Sequence, residues 1–114
     1  MVSLREAIER GNRAAFRELL DPRVVWIGVF PVQLCRGRAE VLSMLDRPEN
    51  SERKLAPEVL AERDGRLAVA MHPEPAPEWA PDLHLVFLED EDRVVEMRDY
   101  ASREAALAAM ETPP

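Results

Sequence analysis

Apolar residues recur every three or four positions through the first twenty residues and about every second position through much of the second half. A period near 3.6 marks a helix face and a period of 2 marks a strand face, so the chain changes character as it proceeds. Leu4, Ala7 and Ile8 share one helical face, and Ser3 with Glu6 has capping-box spacing. Gly11-Asn12 interrupts the run. Asn12 is placed to cap a second short helix, with Ala15, Phe16, Leu19 and Leu20 apolar. Asp21-Pro22 ends that helix, because proline disfavours helical geometry in the residue before it. Val24 to Val29, β-branched and containing Trp26, predicts a strand. A Phe30-Pro31 break leads to Val32–Arg36, and Gly37 then opens a helix with Val41, Leu42 and Leu45 apolar.

The second half reads as strands. Arg47 to Arg53 is a polar loop, and Asp64-Gly65 is a two-residue hairpin signal between strands expected over 58–63 and 66–72. The Pro-rich connection PEPAPEWAP follows, from Pro73 to Pro81. Its Trp79 either lids or contacts a partner, or docks onto the body of the domain. Strands over 83–89 and 94–100 pair around the acidic turn Asp90-Glu91-Asp92, and Ser102 caps a last helix carrying Ala106, Leu107 and Met110. Helices and strands segregate, so residues 1–114 form a single α+β domain, with helices packed on one face of a curved antiparallel sheet.

Strand pairing makes a further prediction, since directly opposed residues of an antiparallel pair point to the same face. A two-residue turn at Asp64-Gly65 sets Arg63 against Arg66, Ala61 against Ala68 and Val59 against Ala70. A register that also opposes His72 and His84 gathers Val59, Ala61, Ala68, Ala70, His72, His84, Val86, Val95, Met97 and Asp99 on one face. The small alanines leave room there for a helix or a ligand. The other face holds Leu60, Val69, Met71, Leu85, Phe87 and Val94, an apolar surface seldom left wet, which predicts a homodimer burying it. A one-residue slip would exchange the faces.

Composition narrows the partners. The formal net charge is −7 with no Lys/Arg run to offset it, which argues against a nucleic-acid partner. Cys35 is the single cysteine. The N-terminus lacks an apolar signal core and no window approaches a membrane span, so the cytoplasm is expected. No Gly-rich phosphate loop implies an organic cofactor.

GRAEVLSML after a short strand region, and RVVEMRDYASREAALAA at the end, resemble segments of the SnoaL-like (nuclear transport factor 2-like) group. The first resembles the helix after that group's first strand. The second resembles its last strand and terminal helix, with an Asp-rich turn before an MRDY strand. The order of elements agrees over nearly the whole chain. The resemblance implies a cone, in which a bent sheet wraps helices around an apolar pocket. Activities in the group include polyketide cyclisation, ketosteroid isomerisation, dehydration and epoxide hydrolysis, and many relatives are non-catalytic. By position it implies that Met97 faces the pocket and that His84 stands near the acid that steroid isomerases use toward an oxyanion. Gly28 stands near their carboxylate base, and no Tyr in the helices or central strands completes that oxyanion site. The Asp-Arg-Asp set of the epoxide hydrolases is not evident.

The candidate chemistry is therefore proton transfer on a small apolar carbonyl compound, by isomerisation, cyclisation or dehydration. His84 is the candidate acid/base, assisted by His72 or Asp99, since imidazole titrates near neutrality. Trp26, Val86, Val95 and Met97 are the candidate ligand-binding walls. Each has a plainer reading: the histidines as solvated or hydrogen-bonded sheet-end residues, Asp99 as an ion-pair or cap residue, and Trp26 as core. No ligand-spacing motif supports a metal at His72, His84 and Asp99. The alternative function is a non-catalytic dimeric binding or interaction module.

Overall fold

In a computed structural model of the protein, which describes residues 2–30, 32–48, 54–74 and 82–111, both N-terminal caps form. The Ser3 hydroxyl accepts the Glu6 amide at 3.1 Å and opens α1 (Leu4–Glu9). Asn12 Oδ1 accepts the Ala15 amide at 3.1 Å and opens α2 (Arg13–Leu19). Strand β1 (Leu20–Ile27) follows with no linker, then β2 (Leu34–Arg36) and α3 (Arg38–Leu45). Next come β3 (Leu55–Arg63), β4 (Arg66–Pro73), β5 (Leu83–Asp90), β6 (Arg93–Tyr100) and α4 (Arg103–Glu111). The Ser102 hydroxyl caps α4 by accepting the Ala105 amide at 3.1 Å. Trp79 lies outside the described residues. No helix among them is long and apolar enough to cross a membrane.

The strands form one open six-stranded sheet in the order β2-β1-β6-β5-β4-β3. It is mixed rather than wholly antiparallel, because β1 runs parallel to β6. These two strands are distant in sequence, so no tight turn dictates their direction. Asp21-Pro22 sits inside β1, where the pairing with β6 jumps from Leu20 to Val25. Proline has no amide to offer a ladder, and the jump leaves it outside the pairing. Likewise β3 begins earlier than expected and contains Pro57, which an edge strand tolerates.

Two clusters hold the sheet between layers. On the inner face α1, α2 and α3 cover Leu67, Val69, Leu85, Phe87, Val94 and Met97, together with Leu20 and Val24 of β1. The Phe16 and Phe87 rings meet edge to face, 5.8 Å apart. On the outer face α4 lays Ala106 and Met110 against Ala68 and Val86. The small residues at the sheet centre thus make room for a helix. Each fully buried Leu, Val, Phe or Met contributes roughly 1.5–3 kcal/mol, so these clusters dominate the favourable side of folding.

Strand register departs from expectation at three places. Arg63 opposes Arg66 and Ala61 opposes Ala68 as expected, but a bulge at Leu60 then sets Val59 against Val69, not Ala70. His84 opposes Ala70 rather than His72, a slide of two residues that keeps both histidines on the outer face. The third departure has the largest effect. Asp90 pairs Arg93 and Glu89 pairs Val94, yet Leu88 pairs Glu96 and Leu85 pairs Asp99. Val95 is therefore an extra residue, and one extra residue exchanges the faces of everything beyond it. Met97 and Asp99 point inward with Phe87 and Leu85, while Glu96, Arg98 and Tyr100 share the outer face with Val86 and His84. The expected grouping of Met97 and Asp99 with the histidines is corrected accordingly. So is the expected dimer surface: Val69, Leu85, Phe87 and Val94 form the core beneath the helices, where no partner reaches them.

Candidate functional site

The inner face opens into a cavity of about 470 Å³ lined by β1, β2, α3 and β6. Cross-strand pairing builds it. Trp26 stands between Cys35 on β2 and Met97 on β6, so its indole lies on the inner face. Met44 of α3 lines the same space, with Val32 and Gln33 of the β1–β2 connection and Leu34 at the start of β2. Asp99 enters because the Val95 bulge turns it inward.

Asp99 and Trp26 form the polar centre. The Trp26 Nε1–H donates to Asp99 Oδ1 at 2.9 Å. Burial pushes the Asp99 carboxyl above the usual carboxylate range, and the indole hydrogen bond offsets part of that rise. A carboxyl so placed accepts or donates a proton nearer neutrality than an exposed one. Burial, with help from Glu40, also pushes the Cys35 thiol up, which holds it as a thiol rather than a nucleophilic thiolate. The remaining polar side chain of the lining is Gln33. Its placement depends on Gly28, where a Cβ would sit 2.5 Å from both Gln33 Cβ and Oε1. The Gly28 amide also donates to the Gln33 carbonyl at 2.6 Å.

A smaller cavity of about 160 Å³ lies toward the β3 edge, among Ile8, Phe16, Leu55, Pro57, Met71 and Phe87. It contains no carboxyl or imidazole among the described residues that line it.

Of the residues singled out from sequence, the structure brings Trp26 and Asp99 together in the larger cavity. Met97 is packed behind them in the core and is 1% exposed. Val86 lies under α4 on the other face, and Val95 is the bulge residue. The histidines are elsewhere. His72 on the outer face is clasped between Glu58 at 2.8 Å on Nε2 and Asp82 at 3.0 Å on Nδ1. Glu58 also receives Arg103 of α4 at 2.9 Å. The Glu58 hydrogen bond first, then Asp82, raises the His72 pKa, and His72 and Arg103 lower that of Glu58. His84 sits between Ala70 and Tyr100, its Nδ1 shielded from solvent and lacking a hydrogen-bond partner among the described residues. No group of three or more His, Cys, Asp or Glu among the described residues could hold a metal ion. Gln33, Leu34 and Met44 were not expected at the site. Pairing Trp26 with Cys35 across the β1–β2 hairpin would have pointed to Gln33, two residues from Cys35 and on the same face.

No protein-family profile matches the sequence, and no curated protein matches it. Solved structures do match the fold. A candidate SnoaL-like polyketide cyclase from Mesorhizobium loti superposes with a TM-score of 0.65 at 15% identity, over 85% of this chain and 92% of the other. An NTF2-like protein of unknown function from Cytophaga hutchinsonii gives 0.65 at 12% identity, over 85% and 91%. A hypothetical protein with a ketosteroid isomerase-like fold from Catenulispora acidiphila, solved in complex with trimethylamine, gives 0.59 at 16% identity, over 97% and 91%. The element order, the open sheet with α1 to α3 on its inner face, and these superpositions agree: the chain shares the α+β fold of solved SnoaL-like and NTF2-like proteins.

Proposed function

We propose that the Trp26–Asp99 cavity binds a small, largely apolar molecule and that Asp99 transfers a proton on it. The reaction class is cofactor-free isomerisation, cyclisation or dehydration of a carbonyl compound. One observation carries the reading: a single partly buried carboxyl, raised by its surroundings and oriented by an indole N–H, in an otherwise mostly apolar cavity. Such a combination of convergent polar groups and apolar walls is typical of ligand sites. In a catalytic cycle the carboxylate would take a proton α to the carbonyl and return it elsewhere, with Trp26 holding its second oxygen free. The Catenulispora neighbour holds a small organic molecule, which makes alkylamines a sensible first probe beside ketones and enones. Residence in the cytoplasm belongs to the same proposal and is supported by the lone cysteine.

A second reading, binding without catalysis, is favoured by the lining itself. Apart from Asp99, its one titratable side chain among the described residues is the Cys35 thiol, so a second acid or base would have to come from the ligand. The test is a ligand screen by thermal shift, followed by turnover assays on the hits, with wild type and Asp99→Asn. Catalysis predicts that the amide variant binds neutral hits within a few-fold of wild type and loses turnover. Hits that bind equally to both proteins and never turn over would sink the catalytic reading. Hits that ignore the cavity would sink both.

A further inference from the structure

One wall of the larger cavity is a row of three residues drawn from three strands' ends. Trp26 stands level with Cys35 and Met97, and Ile27 with Leu34 and Arg98. One step further in the same register, Gly28 comes level with Gln33 on one side and Asp99 on the other. Alternation keeps all three on the inner face with Trp26, Cys35 and Met97, and all three line the cavity. Neighbouring strands lie about 4.8 Å apart, so roughly 10 Å separates the backbones of Gln33 and Asp99. Between them stands a residue with no side chain.

That gap is filled from one end. A Cβ at Gly28 would sit 2.5 Å from Gln33 Cβ and Oε1 and 3.1 Å from its Cδ, so the Gln33 side chain lies across the glycine. Its backbone is pinned there: the Gly28 amide donates to the Gln33 carbonyl at 2.6 Å, and the Gln33 amide to the Phe30 carbonyl at 2.9 Å. Oε1 and Cδ are the carboxamide atoms nearest the glycine, so Nε2 is the end turned away from it. The Trp26 N–H is already given to Asp99, and a thiol is a weak donor. Gln33 is therefore the strong donor left to a ligand among the described side chains of the lining.

We propose that Gln33 Nε2–H holds the carbonyl oxygen of the substrate, with the α-carbon over Gly28 and within reach of Asp99. The assignment rests on the proton-transfer reading of Asp99. As the α C–H bond breaks, its proton passes to the Asp99 carboxylate and its electron pair forms the C=C bond of an enolate. The carbonyl π pair moves onto oxygen, where the Gln33 N–H meets the growing charge. Protonated Asp99 returns the proton to another carbon, and the C=O bond re-forms. Gln33 is exposed and Asp99 half-buried, so the oxygen lies at the mouth and the acid deeper in. No cationic side chain lines the cavity among the described residues, which selects an uncharged enolisable ketone or aldehyde over a carboxylate or phosphate ester.

Hydrogen–deuterium exchange at the α-carbon of cyclohexanone in heavy water, followed by NMR, reads the first step alone. Wild type is expected to exchange faster than buffer. Gln33→Leu keeps the bulk and should lower kcat for exchange about tenfold with KM nearly unchanged, because the donor acts most on the developing oxyanion. A second probe reads the donor without turnover. Para-nitrophenolate carries the planar charged oxygen of an enolate, and Asp99→Asn stands for the carboxyl after it has taken the proton. Adding Gln33→Leu to Asp99→Asn should weaken para-nitrophenolate about tenfold and leave nitrobenzene unchanged. Exchange that is lost in Asp99→Asn but untouched by Gln33→Leu overturns the role of Gln33 and leaves that of Asp99 standing. A phenolate that does not bind, or that Gln33→Leu does not weaken, overturns it as well. No exchange in wild type, with a phenolate that still depends on Gln33, removes the catalytic reading and keeps Gln33 as the oxygen donor of a binding site.

Discussion

Asp99 is the residue on which the functional reading turns. Its carboxyl is mostly withdrawn from water and receives one hydrogen bond, from Trp26, too little to compensate the charged form fully. A folded-state pKa above the unfolded one means that ionisation costs the native state stability as pH rises through that window. Asp99→Asn keeps an oxygen for the indole and removes the charge. Thermal melts at neutral pH should therefore show the variant more stable, by at most about 1 kcal/mol once solvent screening of a partly exposed group is allowed for. A lower melting temperature would mean that the carboxylate stabilises the fold rather than serving the cavity. Gains of stability with loss of activity are the usual mark of a functional residue.

At the scale of elements, the clasp of Glu58, His72, Asp82 and Arg103 ties β3, β4, the approach to β5 and α4 together on the outer face. The raised His72 pKa means that its contribution is complete below the unfolded value of about 6.5 and is lost as pH rises through the folded value. Glu58, lowered by its partners, contributes above its own unfolded value and loses that only as pH falls through the folded one. His72→Gln should thus destabilise the protein more at about pH 5.5 than at pH 8.5, read as urea midpoints. Equal losses at both would show the imidazole to be neutral throughout. The β5–β6 turn is a second element open to test. Glu91 and Asp92 both hold positive φ, 51° and 62°, as Asp64-Gly65 does at 47° and 78°. Side chains with a Cβ resist that geometry, so Glu91→Asn with Asp92→Gly should stabilise by about 1 kcal/mol in chemical denaturation. Unchanged stability would mean that the turn relaxes at no cost. These turns also explain what could be read in advance. Caps at Ser3, Asn12 and Ser102, and the Asp64-Gly65 hairpin, are local signals that tertiary contacts did not override. The bulges at Leu60 and Val95 have no local signature, because either strand alone is compatible with unbroken alternation. The one at Val95 turns Asp99 inward and so separates it from His72 and His84 on the outer face.

At the scale of the whole molecule, the two faces of the sheet have different tasks. The inner face packs three helices around a core and leaves a cavity at the β1–β2 end; the outer face carries α4 and the His72 clasp. The fold was legible because its order of elements follows from local patterning. The site was only half legible: Trp26, Met97 and Asp99 belong together through a parallel β1–β6 pairing that links residues far apart in sequence. The claim that joins fold to function is that the Val95 bulge turns Asp99 into that cavity beside Trp26. Carbon-13 titration of the Asp99 carboxyl, in wild type and in Trp26→Phe, tests it most directly. The structure predicts a pKa above the usual carboxylate value, raised further when the indole donor is removed. An ordinary or lowered value that Trp26→Phe leaves unchanged would put Asp99 in solvent and contradict the account.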